Sequence, residues 1–205
     1  SDLQALHATS KDWGFWDDTY AFMADKQSGY IEENFNADTL LNLRVSMLVY
    51  LAADGHAYFS SGYDLDNHRV IPVPKSILAY LNAHIDIIRQ RDNLPESSGL
   101  IVTPDQITLA AVSPILNSAG EGPSRGYLVV GRFLSPGEVK RLSSITHFPS
   151  SFQQFYRRSL PIDFRQARSQ LDPSNPVATF PLNTSQSAGY YLLPGLDDRP
   201  AAIMR

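Results

Sequence analysis

The segment LRVSMLVYLAADGHAYFSSGYD, residues 43–64, predicts a β-hairpin. Every second side chain in its first half is apolar, at Val45, Met47, Val49 and Leu51. A period of two is typical of a strand with a buried face. Asp54-Gly55 follows, and glycine adopts the positive φ that tight hairpin turns need. We therefore expect two antiparallel strands joined by a short turn.

The residues after this hairpin are predicted to continue the same sheet. The segment 74–91, PKSILAYLNAHIDIIRQR, has an apolar stripe at helical spacing and a proline that fits a first turn. Three strand-like runs follow: SGLIVT (98–103), QITLAAVSPIL (106–116) and GYLVVGRFL (126–134). A short helix is expected in SPGEVKRLSSI (135–145), with Ser135 as its N-cap and Glu138 in its first turn. This order is the outline of a PAS-like, mostly antiparallel five-stranded sheet with helices on one face.

Residues 3–34 are predicted to form one long helix. Apolar and aromatic side chains recur there at steps of three, four or seven: Leu3, Leu6, Trp13, Trp16, Tyr20, Met23 and Tyr30. Within DWGFWDDTY, the spacing of the two tryptophans and Tyr20 places their rings on one helix face. We interpret this face mainly as one that packs on the sheet. Asp17 or Asp18 would then bind an arginine or the backbone amides of a neighbouring loop.

Beyond residue 146 apolar residues become sparser and prolines more frequent. Short strand-like and helical runs predict a smaller α/β portion there: HFPSSFQQFYRR, PIDFRQARSQL, PVATFPL, AGYYLLPG and PAAIMR. We predict two units, residues 1–146 with the N-terminal helix and the PAS-like sheet, and residues 147–205. The predicted fold class is α+β, with a long N-terminal helix packed on a PAS-like antiparallel sheet and a smaller C-terminal α/β subdomain.

Composition excludes several classes of function. Hydrophobic residues make up 43% of the chain, charged residues 19%, and the net charge is -4, without a cluster of lysines and arginines. Nucleic acid is therefore not expected as a partner. The chain has no cysteine, which excludes disulfides, thiolate metal sites and cysteine nucleophiles. No apolar run approaches the ~20 residues of a transmembrane helix.

Motifs for catalysis and metal binding are absent from the sequence. The five histidines do not have the spacing of a zinc site. There is no calcium-binding loop and no phosphate-binding loop, and the letters GPSRG at 122–126 fall in the polar segment between two predicted strands, not on the strand-to-helix turn of a nucleophile elbow. The adjacent carboxylates of Asp17 and Asp18 diverge by about 100° around a helix, which suits shared acid–base catalysis poorly. We therefore predict no metal, no cofactor and no catalysis by this chain.

Arg132 is the clearest candidate for ligand binding. The run GYLVVGRFL places it near the end of a strand that is otherwise apolar. A buried guanidinium requires a carboxylate or phosphate partner. Two kinds of partner remain open: Asp17 or another aspartate of the same motif, or an anionic group of a ligand.

A ligand pocket in a PAS-like fold lies between the sheet and the segments that cover it. Polar and aromatic residues that interrupt the apolar runs are the candidates to line it. Each tyrosine among them has the alternative role of a core residue whose hydroxyl reaches water. The predicted ligand-binding residues are Trp16, Asp17, Tyr20, Tyr50, Tyr58, Tyr63, Asp64, Ser113, Tyr127 and Arg132.

The sequence also resembles a known family. DWGFWDDTYAFM (12–23), YIEENFNADTLLNLRVSMLVYLAADG (30–55) and GYLVVGRFLSPGEVKRLS (126–143) are similar to the fourth type of the CHASE family of extracellular sensory domains. The closing segment AGYYLLPGLDDRPAAIMR (188–205) resembles the final hairpin of that family. The resemblance covers roughly residues 10–205.

The resemblance implies a Cache-related sensory domain that lies outside the inner membrane, in the periplasm, between two membrane spans of a bacterial receptor. Such domains pass signals to cytoplasmic histidine kinase, diguanylate cyclase or cyclic-di-GMP phosphodiesterase modules. The implied function is to bind an unidentified small molecule and to relay that event through the N-terminal helix, along which a homodimer is expected. Two alternatives stay open. One is a ligand-free coupling module that dimerises or binds a partner protein, and the other is a secreted enzyme that uses Asp17 with Arg132.

Overall fold

The computed structural model describes residues 2–25, 29–90 and 97–205. Its helices are α1 (Asp2–Gly14), α2 (Asp17–Asp25), α3 (Tyr30–Asn34), α4 (Ala37–Asn42), α5 (Lys75–Ala83), α6 (Ile85–Gln90), α7 (Pro136–Thr146) and α8 (Ile162–Arg168). Its strands are β1 (Met47–Leu51), β2 (Ala57–Asp64), β3 (Arg69–Ile71), β4 (Ser98–Thr103), β5 (Gln106–Pro114), β6 (Tyr127–Phe133), β7 (Phe152–Gln154), β8 (Val177–Pro181), β9 (Ser187–Pro194) and β10 (Pro200–Met204). None of these described helices is both long and apolar enough to cross a bilayer.

The N-terminal two thirds of the chain form a six-stranded sheet with the order β3-β2-β1-β6-β5-β4. All neighbouring strands are antiparallel. The hairpin predicted over 43–64 is confirmed as β1 and β2, and Gly55 has the positive φ of 93° that its turn requires. The three strands predicted after it are confirmed as β4, β5 and β6. The sheet has one strand more than predicted, because the short β3 pairs with the end of β2.

Helices cover both faces of this sheet, so the prediction that they lie on one face is wrong. Every residue of β1 is buried, and its side chains alternate between two cores. Leu48 and Tyr50 pack beneath the N-terminal helices, whereas Met47, Val49 and Leu51 pack with residues of α5 and α6. A strand that is apolar on both faces therefore indicates helices above and below it.

The N-terminal segment is not one long helix, so the prediction for residues 3–34 is wrong. α1 ends at Gly14, whose carbonyl accepts a hydrogen bond from Leu116 N at 3.0 Å instead of continuing the helix. A Cβ at Gly14 would lie 2.9 Å from the carbonyl oxygen of Pro114. The helix therefore stops where it meets the end of β5. Gly29, with φ 95°, precedes α3 in the same region.

The other predicted helices are mostly confirmed. Ser135 caps α7 by accepting a hydrogen bond from Glu138 N. The segment predicted as one helix over 74–91 divides at His84 into α5 and α6, and its last residue lies outside the described residues. The imidazole of His84 stacks on Tyr80 at 4.0 Å, and its Nδ1 lies 2.8 Å from the Tyr80 carbonyl oxygen.

The C-terminal residues form a four-stranded antiparallel sheet with the order β7-β10-β9-β8 and a core of its own with α8. This sheet contacts the first one at β4, where Leu100 forms a parallel bridge with Gly195. Leu196 donates a hydrogen bond to the Leu100 carbonyl at 3.1 Å and is buried in the core beneath α5. The predicted α+β class with a PAS-like antiparallel sheet is confirmed. The division into residues 1–146 and 147–205 stays a prediction.

Candidate functional site

Arg132 lies near the end of β6 and is buried, with 4% of its side chain exposed. Its Nε donates to the Arg44 carbonyl at 2.6 Å and its Nη2 to the Leu43 carbonyl at 3.3 Å. Its Nη1 donates to the Asp2 carboxylate, and Glu138 Oε1 lies 3.7 Å from the same nitrogen. The guanidinium is therefore satisfied by acceptors of the protein itself.

These groups belong to a larger cluster, which we call the charge network: Asp2, Arg44, Arg132, Glu138 and Arg141. Glu138 is fully buried and accepts hydrogen bonds from Arg141 Nη2 at 2.6 Å, from Arg141 Nε at 3.0 Å and from Arg44 Nη2. Arg141 Nη2 also donates to Asp2 Oδ1 at 2.9 Å. The network joins the first turn of α1 to β6, to α7 and to Arg44, which lies three residues before β1. An expected ion pair between Arg132 and Asp17 is wrong, because Asp2 takes that place.

The ionisation of the network follows from its contacts. Burial by itself would raise the pKa of Glu138, but hydrogen bonds from Arg141 and Arg44 outweigh it and leave the pKa below its ordinary value. Burial lowers the pKa of Arg132, and the carboxylates of Glu138 and Asp2 oppose this shift. The hydrogen bond to Glu138 raises the pKa of Arg141. Removing one charge from such a buried set leaves its partners uncompensated, which is costly.

Aromatic rings occupy the space between β1 and the N-terminal helices. We call them the aromatic cluster: Phe22, Tyr30, Phe35, Tyr50, Tyr58 and Phe59. The ring of Tyr50 lies 5.4 Å from Phe22, 6.3 Å from Tyr30 and 6.2 Å from Phe35, measured between centroids. These four rings are at least nine-tenths buried. The place where a ligand pocket was predicted is therefore filled by side chains.

The hydroxyl groups of this cluster form hydrogen bonds with one another, with the Thr19 side chain or with the main chain. Tyr50 Oη lies 3.2 Å from Tyr30 Oη, which also bonds to Thr19 Oγ1. Tyr58 Oη donates to the Phe22 carbonyl at 3.1 Å. Burial raises the pKa of Tyr50 well above its usual range and, less strongly, that of Tyr30. Tyr50 and Tyr58 thus have the core role that the sequence left open as their alternative.

Three further candidates lie apart from one another. Tyr63 is buried in the same core as Tyr50. Ser113 Oγ lies 3.0 Å from Ser10 Oγ and so joins β5 to α1. Tyr127 lies in the core on the opposite face of the sheet. The sheet therefore separates Tyr127 from Tyr63 and Ser113.

Asp17 and Tyr20 contact the loop before β6, whereas the Trp16 ring lies 6.4 Å from that of Trp13 in α1. Trp16 is 36% exposed, so its expected packing on the sheet is wrong. Asp17 Oδ1 accepts from Ser118 N at 2.9 Å, as predicted for a bond to loop amides, and these contacts lower the pKa of Asp17. Tyr20 Oη donates to the Pro123 carbonyl at 3.2 Å, and the Arg125 guanidinium carbon lies 3.7 Å from the Tyr20 ring centroid.

Asp64 closes the turn between β2 and β3. It accepts from Asn67 Nδ2 at 2.9 Å and from the backbone amides of Asp66 and Asn67 at 3.1 Å. Arg69 Nε lies 3.6 Å from the same carboxylate. The bond from Asn67 is the main cause of the lowered pKa of Asp64. The contacts of Asp64 therefore stabilise the turn. Taken together, the predicted ligand-binding residues do not line one common pocket.

An open cleft lies where the two sheets meet. We call it the junction cleft; its volume is about 880 Å³, and Gln106, Ile107, Val139, Phe152, Gln154 and Arg157 are among its lining residues. Gln154 Nε2 donates to the Thr103 carbonyl at 2.8 Å across the junction. Ser151 Oγ also lines it and is buried without a hydrogen-bond partner. Within residues 2–25, 29–90 and 97–205, no group of His, Asp and Glu is arranged to hold a metal ion.

Sequence reasoning missed most of the charge network. Glu138 was identified only as a capping residue, and Asp2 was not considered, since it precedes the aromatic motif. The one available signal was Arg132, whose position in an apolar strand predicted an anionic partner, either an aspartate of the protein or an anionic group of a ligand. The identity of that partner depends on the docking of α1, because Asp2 is 130 positions away in the chain.

The sequence of the chain is similar to that of known proteins. Residues 1–153 match the CHASE4 domain family. The methanogenesis regulatory histidine kinase FilI of Methanothrix harundinacea (strain 6Ac) is 28% identical over 145 residues. That match covers 71% of this chain but 16% of the relative, so the chain spans only a small part of that protein.

Solved structures share the fold at low sequence identity. The extracellular domain of vpHK1S-Z8, a protein described as a histidine kinase, superposes with a TM-score of 0.61 at 14% identity, over 98% of this chain and 83% of that one. A domain of a sensory box/GGDEF family protein from Vibrio parahaemolyticus gives 0.61 at 14% identity, over 98% and 87%. The periplasmic domain of Vibrio cholerae LuxQ gives 0.56 at 11% identity, over 99% and 91%.

Fold and family match together define a sensory domain of the extracytoplasmic type, homologous to the extracellular domains of histidine kinases and GGDEF proteins. The chain belongs to the CHASE4 domain family, whose match covers well over half of it. The resemblance inferred from the sequence and the location outside the cytoplasm are thereby confirmed.

Proposed function

We propose that the chain is the input domain of a membrane receptor with a histidine kinase or cyclic-di-GMP output, and that α1 relays its state to the membrane. The observation that carries this proposal is the charge network. Asp2, in the first turn of α1, is bound to Arg132 of β6 and to Arg141 of α7. A displacement of the sheet or of α7 therefore changes the contacts of the helix that would continue toward a membrane span.

The sheet face beneath the N-terminal helices is filled by side chains, which favours a coupling module that binds no small molecule there. The aromatic cluster takes up the space in which a small molecule was expected, and its hydroxyls bind within the protein. A ligand there would have to displace packed aromatic rings, each of which buries ~150–250 Å² of surface. We therefore infer an input that reaches the domain from a partner protein, from a second copy or from the membrane. Homodimerisation along α1 stays a prediction.

Small-molecule sensing is the second candidate, at a different place from the one predicted. The junction cleft, at about 880 Å³, falls in the ~300–1,000 Å³ range of ligand pockets. It is lined by residues of both sheets. A ligand bound in it would therefore contact both sheets and could change their relative position. A ligand shifts such an equilibrium only by its difference in affinity for the two arrangements.

The relay is tested in a receptor in which this domain controls a diguanylate cyclase or kinase module. We expect Asp2→Asn to change the output in the absence of any stimulus, because it removes one charge from the network. Asp38→Asn is the matched control, since Asp38 is an exposed carboxylate in the first turn of α4. Unchanged output from a folded, membrane-inserted Asp2→Asn receptor would refute the relay.

The choice between the two inputs is tested by thermal-shift measurements on the isolated chain with sets of metabolites. A ligand at about 100 times its dissociation constant stabilises by about 2.7 kcal/mol. A shift that Gln154→Ala abolishes and Tyr58→Phe preserves would support sensing at the junction cleft. The coupling form predicts no shift with amines, carboxylates, nucleotides or sugars.

A further inference from the structure

A second cleft adjoins the junction cleft, since Pro104 and Gln154 line both of them. Its walls come from α5, from the edge strand β4 and from the C-terminal sheet with the loops that follow β7 and β9. We call it the arginine cleft; its volume is about 700 Å³, and Tyr80, Val102, Tyr156, Arg158, Asp197 and Arg199 are among its lining residues. This volume lies in the ~300–1,000 Å³ range of small-molecule sites.

Arg158 brings an unpaired cation to this cleft. Its side chain is exposed, and within the part of the chain that the structure describes it has no hydrogen bond and no ion pair. The loop that carries it is nevertheless fixed, because Arg168 Nη1 donates to the carbonyls of Phe155 and Arg157, both at 3.2 Å. The donors of the Arg158 guanidinium are therefore available to a ligand.

Arg199 reaches the same cleft from the turn after β9. Its backbone amide donates to Asp197 Oδ1 at 3.2 Å, and its carbonyl accepts from Gly195 N at 2.9 Å. Its side chain is 81% exposed, and Nε lies 4.0 Å from Asp197 Oδ2, which is too far for a hydrogen bond. Asp197 is the one carboxylate among the described lining residues, and Asp105 lines the junction cleft instead. The described lining therefore has two arginines and one aspartate, an excess of positive charge.

Aromatic and apolar side chains stand beside these cations. Tyr156 is 71% exposed, and its ring meets that of Phe155 edge-on with 5.0 Å between the centroids. Tyr80, on the opposite wall, is partly buried, and Val102 and Ala201 add apolar surface. Apolar and aromatic walls with a small number of placed polar groups are typical of a ligand site.

We propose that the arginine cleft binds a small aromatic carboxylate. The planar guanidinium of Arg158 matches a carboxylate through two parallel hydrogen bonds, and Arg199 supplies a second cation. The ring of the ligand packs against Tyr156 and Tyr80 in the offset or edge-on arrangement that aromatic pairs prefer.

Inorganic phosphate and an acidic side chain of a partner protein are the competing occupants. Phosphate would use the two arginines but would leave the aromatic walls without contacts. A partner protein requires roughly 800 Å² of surface on each side, whereas this feature is a concave cleft of small-molecule size. The rings and apolar side chains next to the cations therefore favour the aromatic carboxylate.

The inference goes beyond the proposed function, because the relay through Asp2 requires no ligand at this place. Leu100 and Gly195, which form the bridge between the two sheets, both line the cleft. A bound carboxylate would thus contact the junction and add a small-molecule input there, to the extent that it prefers one arrangement of the sheets. Its binding would count against a coupling module that takes up no small molecule at all.

NMR titration of the isolated chain tests the site with named probes. Benzoate, phenylacetate and cinnamate carry both a ring and a carboxylate, whereas benzamide lacks the charge, acetate lacks the ring and phosphate is a free inorganic anion. We expect saturable shifts of the amides of Tyr156, Arg158 and Arg199 with the aromatic carboxylates. Benzamide and acetate should bind at least about tenfold more weakly than benzoate.

Substitutions at exposed positions locate the binding. Arg158→Gln should weaken the tightest of the three aromatic carboxylates by at least about tenfold. Arg165→Gln is the matched control, since Arg165 is exposed on α8 outside the cleft, and it should change the affinity less than about twofold. Tyr156→Leu should weaken binding by roughly threefold or more, because it removes an aromatic contact.

The proposal would be overturned by the absence of saturable binding with all three aromatic carboxylates, which would leave the cleft to a partner's acidic side chain. Equal losses in Arg158→Gln and Arg165→Gln would also overturn it, as would phosphate or acetate binding as tightly as benzoate. A loss in Arg157→Gln but not in Arg158→Gln would reject this cleft in favour of the junction cleft. Binding is read here without any receptor output, so failure of this proposal is distinguishable from failure of the relay through Asp2.

Discussion

At the scale of residues, the main feature of this domain is its buried charged side chains. Arg132 and Glu138 are both buried, and their charges are paired with those of Arg44, Arg141 and Asp2. The sequence was sufficient to predict that Arg132 is buried and has an anionic partner, but it left open whether the protein or a ligand supplies that partner. It was not sufficient to identify Asp2, because that contact depends on how α1 lies on the sheet.

Glu138→Gln is expected to destabilise the chain by about 3 kcal/mol, because three arginines then lose a buried carboxylate. Urea unfolding measures the loss as a lower midpoint at unchanged slope. Glu32→Gln is the control, since Glu32 is exposed on α3, and it should cost less than about 0.5 kcal/mol. A Glu138→Gln variant as stable as this control would show that the network contributes nothing to folding.

Stability should also fall with acidification in a way that depends on Glu138. Its pKa is lowered in the folded chain, so the unfolded chain takes up the proton first as the pH drops. The stabilisation is present above the ordinary glutamate pKa and disappears as the pH falls through the lowered folded value. Urea midpoints across the acid range should therefore decline less steeply in Glu138→Gln than in the original chain. Parallel declines would assign the acid sensitivity to other groups.

At the scale of elements, local signals predicted the strands better than the first helix. Alternating apolar residues and the Asp54-Gly55 turn were enough to predict β1 and β2. The end of α1 is set by tertiary contacts: the Gly14 carbonyl accepts a hydrogen bond from Leu116 N, and a Cβ at residue 14 would lie 2.9 Å from the Pro114 carbonyl oxygen. Prediction from helical spacing uses only neighbouring residues and cannot include a contact with residues about 100 positions away. The continuous apolar spacing therefore predicted a helix that is too long.

Gly14→Ala tests this explanation. Helix propensity alone would favour alanine by about 1 kcal/mol, but its Cβ would lie 2.9 Å from the Pro114 carbonyl oxygen and 3.2 Å from Ser113 Cβ. We expect the steric term to dominate and the variant to lose about 1–3 kcal/mol in urea unfolding. Gly189→Ala is the control, because no atom lies within 4 Å of its added methyl. A stabilised Gly14→Ala chain would mean that β5 does not limit α1.

At the scale of the whole molecule, two sheets share one junction. The C-terminal strands were predicted from their apolar runs, but the bridge between Leu100 and Gly195 was not. A contact between residues 95 positions apart produces no periodic pattern in the sequence, so it could not be predicted from apolar spacing. The burial of Leu196 in the core of the first sheet indicates that the two parts unfold together.

Gly99→Ala tests that coupling. An added Cβ would lie 2.8 Å from backbone atoms of Gly195 and 2.9 Å from Leu196 N, none of which can move without shifting the second sheet. We expect a loss of about 1–3 kcal/mol, with faster amide exchange in both β4 and β9. Faster exchange in β4 alone would show that the sheets are not coupled through this contact.

The most direct test of the account is amide hydrogen exchange of α1 in the isolated chain and in its Asp2→Asn variant. Hydrogen bonds to charged groups contribute ~1.5–3 kcal/mol and ~1.4 kcal/mol is tenfold, so amides of α1 should exchange at least about tenfold faster in the variant. Amides of β5 should keep their protection. Unchanged exchange in α1, or an equal increase throughout the sheet, would contradict the claim that the charge network holds this helix in place.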